Sequence, residues 1–158
     1  MANHGSEMYN WAKELFPLNR SLTGKDTLKT LKFIKNIIPS TKINFVKSGT
    51  KAYDWNIPDE WNINDAYIKD QKGNRIVDFK KSNLHVVSYS KYVNKTVNFQ
   101  TLSKHLYTNS KYKDSIPYVT SYYKKRWGFC MSHNQKNQLN KNEKYKVFID
   151  SSHKKGKM

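Results

Sequence analysis

Between residues 6 and 16 the apolar side chains recur at helical spacing. Met8, Trp11, Ala12, Leu15 and Phe16 fall at i, i+3, i+4, i+7 and i+8. Ser6 is placed to cap that helix, and Pro17 stops it, because its ring lacks an N–H and clashes with the turn before it. After a loop over Leu18–Gly24 the period returns. Leu28, Leu31, Ile34 and Ile38 make one stripe of a second helix that starts at Asp26 or Thr27 and ends at Pro39.

From Lys42 the period drops to two, the signature of a half-buried strand. Ile43 and Phe45 face one way, Ser48-Gly49 turns the chain, and Tyr53, Trp55 and Ile57 alternate with polar neighbours up to Pro58. Ala66–Lys69 and Arg75–Phe79 flank the turn-rich Asp70–Asn74, which predicts a hairpin. Leu84–Tyr89 reads as a further strand, and Phe99, Leu102 and Leu106 return to helical spacing. Tyr118–Tyr123 and Trp127–Met131 are rich in β-branched and aromatic residues and predict a strand pair. Tyr145, Val147 and Ile149 alternate once more, and Asp150–Gly156 reads as a turn with no strand returning from it. A strand without a partner leaves an open edge, so the expectation is a truncated fold. The predicted class is α/β, or α+β within this fragment: two helices followed by a mostly β body.

The chain has 158 residues, and 14% of them are aromatic, far more than a solvating, disordered sequence carries. A length of this order suits one globular domain. The longest apolar runs are about five residues, against the ~20 a membrane-spanning helix needs. Asn3, His4, Ser6 and Glu7 lack the basic start and apolar middle of a signal peptide. A cytoplasmic protein with no membrane partner is expected. One cysteine, Cys130, offers neither an internal disulfide nor a multi-cysteine zinc site, and reads as a small buried hydrophobe.

The net charge is +17, but it is unevenly spread: residues 1–65 carry 9 basic and 7 acidic groups, residues 66–158 carry 20 and 5. A basic face of that size could attract a polyanion by counterion release. Only Arg20, Arg75 and Arg126 are arginine, however, and the lysines are scattered among 17 asparagines. That pairing reads as AT-rich codon usage giving a solvated surface, so nucleic acid is not the expected partner.

Five histidines are present without an H-E-x-x-H or comparable cluster. His4 and Glu7 are i, i+3 neighbours near a terminus, and His85 sits between apolar neighbours as a structural histidine would. There is no G-x-S-x-G elbow, P-loop or Gly-rich dinucleotide turn. Asp54, Asp59 and Glu60 read either as paired carboxylates or as a solvated turn. Asn19-Arg20-Ser21 and Asn94-Lys95-Thr96 fit the glycosylation pattern but lack a secretory context. The stretch holding Tyr118, Tyr122, Tyr123 and Trp127, interleaved with Lys124, Lys125 and Arg126, reads either as core on one face or as a stacking surface with a cationic rim. In the second case the chain is a binding module for a polyanion or a carbohydrate.

Five strings taken together resemble one family: Met8–Gly24 (MYNWAKELFPLNRSLTG), Ser48–Ile68 (SGTKAYDWNIPDEWNINDAYI), Asn83–Ser90 (NLHVVSYS), Ile116–Cys130 (IPYVTSYYKKRWGFC) and Val147–Ser152 (VFIDSS). They are similar to the aminopeptidase-like domain family, bacterial zinc exopeptidases often encoded beside polysaccharide-biosynthesis genes. The resemblance implies an α/β zinc-exopeptidase domain interrupted by an inserted β-rich domain. Residues 1–50 would start the peptidase domain, 51–150 would be mostly the insert, and 151–158 would return toward the peptidase domain. It also implies zinc as cofactor and a peptide or aminoacyl-type substrate for the longer protein. The family's zinc ligands lie in a His-Pro-Ser and an Asn-Asp segment and at later acidic and histidine positions, all beyond the point matching Ser152. This chain alone is therefore expected to hold no zinc and to be inactive. Arg20, Tyr122, Tyr123 and Trp127 are the candidate pocket contributors.

Overall fold

The computed structural model describes residues 4–158; Met1–Asn3, which begin the predicted 1–50 segment, lie outside the described residues. The chain divides into two compact units. Residues up to Glu60 together with Lys154–Met158 form the first, and Trp61–His153 form the second.

The first unit opens with α1 (His4–Leu15). It begins two residues before the expected cap, so Ser6 lies inside the first turn; Glu7 in that turn favours the positive end of the helix. The Phe16 N–H still reaches the Ala12 carbonyl at 2.9 Å before Pro17 intervenes. Gly24, at φ 106, brings the chain into α2 (Lys25–Ile37), a backbone region that side-chain-bearing residues avoid. The Leu18–Gly24 loop is fastened to the start of α2. The Asp26 carboxylate accepts from the Asn19 N–H at 3.2 Å, and the Thr27 hydroxyl donates to the Ser21 carbonyl at 2.8 Å. Neither helix contains a buried residue, and Met8 and Phe16 are each 62% exposed.

The strand expected from Lys42 is not a regular one. Val46 and Met158 exchange two backbone hydrogen bonds of 2.8 Å, and the Ser48 N–H donates to the Gly156 carbonyl at 3.0 Å, so this segment pairs briefly with residues at the far end of the sequence. β1 (Lys51–Ala52) and β2 (Trp55–Asn56) form a small antiparallel hairpin. Tyr53 stands at its tip with φ 56 and is 98% exposed, so it does not share a buried face with Trp55 and Ile57 as the alternation suggests.

In the second unit β3 (Glu60–Lys69) pairs antiparallel with β4 (Arg75–Asp78) around Asp70–Asn74, as predicted. The Asp70 carboxylate accepts from the Asn74 N–H at 2.8 Å and Gly73 turns at φ 85. Trp61, Ile63, Ala66 and Ile68 of β3 are buried. Leu84–Tyr89 is not a strand. Asn83–His85 form a 3-10 turn, after which Val86 and Ser88 make single bridges to Phe129 and Thr120. β5 (Val93–Asn98) leads into α3 (Phe99–Ser103), whose first turn is capped by Asn98 accepting from the Thr101 N–H at 2.9 Å. β6 (Leu106–Tyr107) pairs parallel with β7 (Phe129–Cys130). The Tyr118–Tyr123 partner expected for that second strand is instead a loop touching the structure at the Thr120 bridge. α4 (His133–Asn137) starts at a capping box in which Ser132 and Gln135 satisfy each other's backbone N–H groups.

The last strand departs most from expectation. β8 (Lys144–Lys154) runs straight through the residues read as a turn, and it lies inside the four-stranded sheet, in the order β4-β3-β8-β5. It pairs antiparallel with β5 from Lys144 opposite Asn98 to Ile149 opposite Val93. The open edge inferred from sequence does not exist, because the partners come from earlier in the chain and not from a following hairpin. Ser90 ties this unit together. Its carbonyl accepts from Trp61 Nε1 at 3.0 Å and from the Ser151 hydroxyl at 2.7 Å, while its own hydroxyl donates to the Val87 carbonyl and accepts from the Gly128 N–H.

Candidate functional site

The loop Thr120–Arg126 is rich in tyrosine and lysine, which suits neither helix nor a buried strand, and it is pinned at both ends instead. The Ser121 N–H donates to the Ser88 carbonyl at 2.9 Å, the Ser88 N–H donates to the Val119 carbonyl at 2.8 Å, and the Lys91 N–H reaches the Arg126 carbonyl at 2.9 Å. The Lys124 N–H closes a turn on the Ser121 carbonyl at 3.0 Å. Between these anchors Thr120, Ser121, Tyr122, Tyr123, Lys124 and Arg126 surround a cleft of about 330 Å³. No carboxylate is among those lining residues.

Arg126 is held in place from two sides. One Nη2 hydrogen bond of 3.1 Å runs to the Thr120 carbonyl, and the guanidinium carbon lies 5.4 Å from the Tyr107 ring centroid. Arg126 enters none of the ion pairs found among the described residues. Its Nε and the Thr120 hydroxyl oxygen are buried with no hydrogen-bond partner in the protein.

Aromatic rings continue behind the cleft. Tyr122 packs 4.4 Å from Tyr123 and edge-on to Tyr89 at 6.0 Å, and Tyr89 stacks on Trp61 at 5.5 Å. Tyr89 is buried at φ 65, a left-handed conformation that costs a non-glycine residue on the order of 1–3 kcal/mol. The packing on Trp61, Tyr122 and His153 holds it there.

The residues singled out from sequence are distributed as follows. Tyr122 and Tyr123 line the cleft. Trp127 does not: it is 4% exposed and lies flat on His105, with ring centroids 3.7 Å apart, so it belongs to the core. Arg20 is an exposed residue of the first unit, in the loop fastened to α2. Thr120 and Ser121 were not indicated by the sequence; their hydroxyls gave no pattern until the bridge to Ser88 placed them. His85 Nδ1 donates to the Cys130 carbonyl at 2.8 Å, a buried structural contact. Burial pushes the Cys130 thiol up to about 12, which makes it inert in the folded chain. Asp59 pairs with Lys155 at 3.3 Å, and His4 lies 3.7 Å from Glu7 in an exposed contact. Among the described residues no three His, Cys, Asp or Glu side chains come together in a way that could hold a metal ion. The described residues do not fit the zinc centre that the resemblance implies. Among the described residues, no helix is long and apolar enough to cross a membrane.

The profile of a family described as "Domain of unknown function (DUF2172)" matches residues 60–152, nearly the whole second unit. The chain belongs to this family. The DUF2172 match covers the cleft and every residue that lines it. A Clostridium acetobutylicum protein carrying the provisional name of a polysaccharide biosynthesis protein with an aminopeptidase-like domain is 48% identical over 154 residues, which are 98% of this chain and 35% of that one. A crystal structure from Clostridium acetobutylicum, provisionally described as a peptidase, is similar with a TM-score of 0.92 at 48% identity, covering 98% of this chain and 36% of that one. The chain thus spans about a third of the length of the relatives it matches, and over that third it shares the fold of the solved structure.

Proposed function

We propose that this chain is the N-terminal part of a zinc-dependent aminopeptidase-like hydrolase. In this reading residues 1–50 open the peptidase domain, the DUF2172 unit is its inserted β-rich domain, and residues 151–158 lead back toward the peptidase domain. The observation that carries it is the near-complete match to a relative with an aminopeptidase-like domain, of which this chain corresponds to only 35%. The apolar residues of α1 and α2 support it. Met8, Phe16, Leu31, Ile37 and Ile38 are all exposed, a pattern that an autonomous helical pair would bury against something. The division of the chain agrees with an insertion, because the first unit is made from segments on both sides of the second.

A zinc hydrolase would need three protein ligands and a general base. None of the described residues supplies such a set, so in this reading the centre comes from sequence beyond the match to this chain, and this chain alone is inactive. The test compares this chain with the longer Clostridium acetobutylicum protein on alanyl- and leucyl-p-nitroanilide, with zinc added or removed by chelation. Zinc-dependent release of p-nitroaniline by the longer protein only is the expected result. Turnover by this chain alone, or none by the longer protein with any metal, overturns the proposal.

A further inference from the structure

We infer that the Thr120–Arg126 cleft binds a small organic carboxylate. This goes beyond the hydrolase reading and stands or falls separately from it. Arg126 presents five N–H donors in a planar fork, and only one of them reaches a hydrogen-bond acceptor among the described residues, the Thr120 carbonyl. An arginine held by a carbonyl and a ring, but by no carboxylate, is a positioned cation lacking a counter-charge. A planar carboxylate is the group whose two oxygens match one side of that fork.

Four further observations narrow the ligand. Lys124 is the second cation in the lining and no acidic residue opposes it, so the cleft suits an anion of low charge. The Thr120 hydroxyl and the Arg126 Nε, of two residues that line the cleft, are buried without a hydrogen-bond partner in the protein, and such groups are costly to leave so. The volume of about 330 Å³ admits a molecule of one ring or a few heavy-atom groups, far short of a polymer. Tyr122 and Tyr123 supply flat apolar walls for the body of such a molecule, and the strained Tyr89 behind Tyr122 holds that wall in position. The cleft therefore recognises a carboxylate attached to a compact body, as in a sugar acid or an acylated amino acid.

The chain has three arginines, so its amide-correlation NMR spectrum contains three arginine Nε–H signals, and the one missing from Arg126→Gln identifies Arg126. The probes are sodium glucuronate, glucose, N-acetylalanine, N-acetylalanine amide and inorganic phosphate, each titrated into the 158-residue chain. A saturable shift of the Arg126 Nε–H and of the Ser121 and Tyr122 amides is expected with glucuronate, with N-acetylalanine, or with both. Which of the two acts tells a sugar acid from an acyl amino acid. Neither neutral analogue should produce it. Arg126→Gln should weaken binding tenfold or more, and Lys124→Gln, at an exposed position, severalfold without disturbing the fold. If Arg126→Gln does not fold, the Lys124→Gln titration decides. The inference is overturned if no carboxylate shifts these signals, if glucose or the amide shifts them equally, if phosphate saturates them more tightly than either carboxylate, or if Lys124→Gln binds as the parent does.

Discussion

His105 lies on Trp127 with ring centroids 3.7 Å apart and planes 16° from parallel, while its Nδ1 is 3.0 Å from the Trp127 carbonyl oxygen. Burial holds the imidazole below its ordinary value of 6.5, the Trp127 hydrogen bond pulls the other way, and the ammonium groups of Lys95, Lys91 and Lys104 add to the depression. The folded chain therefore resists a proton that the unfolded chain accepts. Stability from this residue is complete above pH 6.5 and is lost as pH falls from there through the folded-state value. Thermal scans from about pH 7.5 down to about pH 5.5 should show the melting temperature falling, and His105→Gln should flatten that decline. An unchanged slope in the variant refutes the assignment.

Trp127 and Gly128 are packing residues. A Cβ added at Gly128 would meet the Tyr107 ring at 2.8 Å, a Val87 methyl at 3.0 Å and the His105 carbonyl oxygen at 3.1 Å. Gly128→Ala should destabilise the chain by roughly 1–3 kcal/mol through overpacking, and Trp127→Ala by roughly 3–5 kcal/mol through the cavity left behind. Urea unfolding followed by fluorescence measures both.

Ser90 joins three distant points of the chain, Trp61, Gly128 and Ser151, and its near neighbour Val87 through two oxygens. Ser90→Ala leaves the Gly128 N–H without its acceptor in a buried site, which should cost about 1–3 kcal/mol. Ser90→Thr keeps the hydroxyl but adds a methyl where Ser90 is fully buried, so it should not restore stability. Equal stability of parent and Ser90→Ala in denaturant titrations would contradict this role.

The Cys130 thiol, raised to about 12 by burial, should not react with Ellman's reagent at neutral pH in the folded chain. Absorbance released over time should follow global unfolding, rising in step with urea concentration. Rapid labelling without denaturant would mean that β7 opens locally.

Met8→Ser on α1 and Phe16→Ser just after it replace apolar side chains that are mostly exposed in this chain. Their effect on its unfolding free energy should lie within about 0.5 kcal/mol. Light scattering should show less self-association in the double variant, and the same changes in the longer Clostridium acetobutylicum protein should lower its melting temperature.

The hairpin at Asp70–Asn74 and both opening helices were legible because each rests on local chemistry: Pro17 and Pro39 end the helices, and Asp70 with Gly73 makes the turn. β8 was misread for the opposite reason. Ser151, Ser152 and His153 carry weak strand preference and lie beyond the ladder with β5, which ends at Ile149, so the pairing of β8 with β3 keeps the strand extended there. Leu84–Tyr89 has strand composition but finds only single bridges, since its groups go to Ser90, Gly128 and the loop at Val119. α4 could have been found, because Ser132 followed three residues later by Gln135 is the pattern of a reciprocal cap. At the cleft, Tyr122 and Tyr123 were visible as part of an aromatic and basic run. Trp127 looked the same in that run, and its inward direction depends on His105, over twenty residues away.

The interior place of β8 also bears on how the protein is made. The sheet has its middle position filled by residues 144–154, so β3 and β5 are synthesised long before the strand that joins them exists. At a ribosomal pace of about 5–20 residues per second, the edge of the β3–β4 hairpin waits several seconds for its neighbour. During that interval the nascent chain exposes Trp61, Ile63 and Ile68, and it is the period in which a chaperone or a wrong strand from another chain could reach them first.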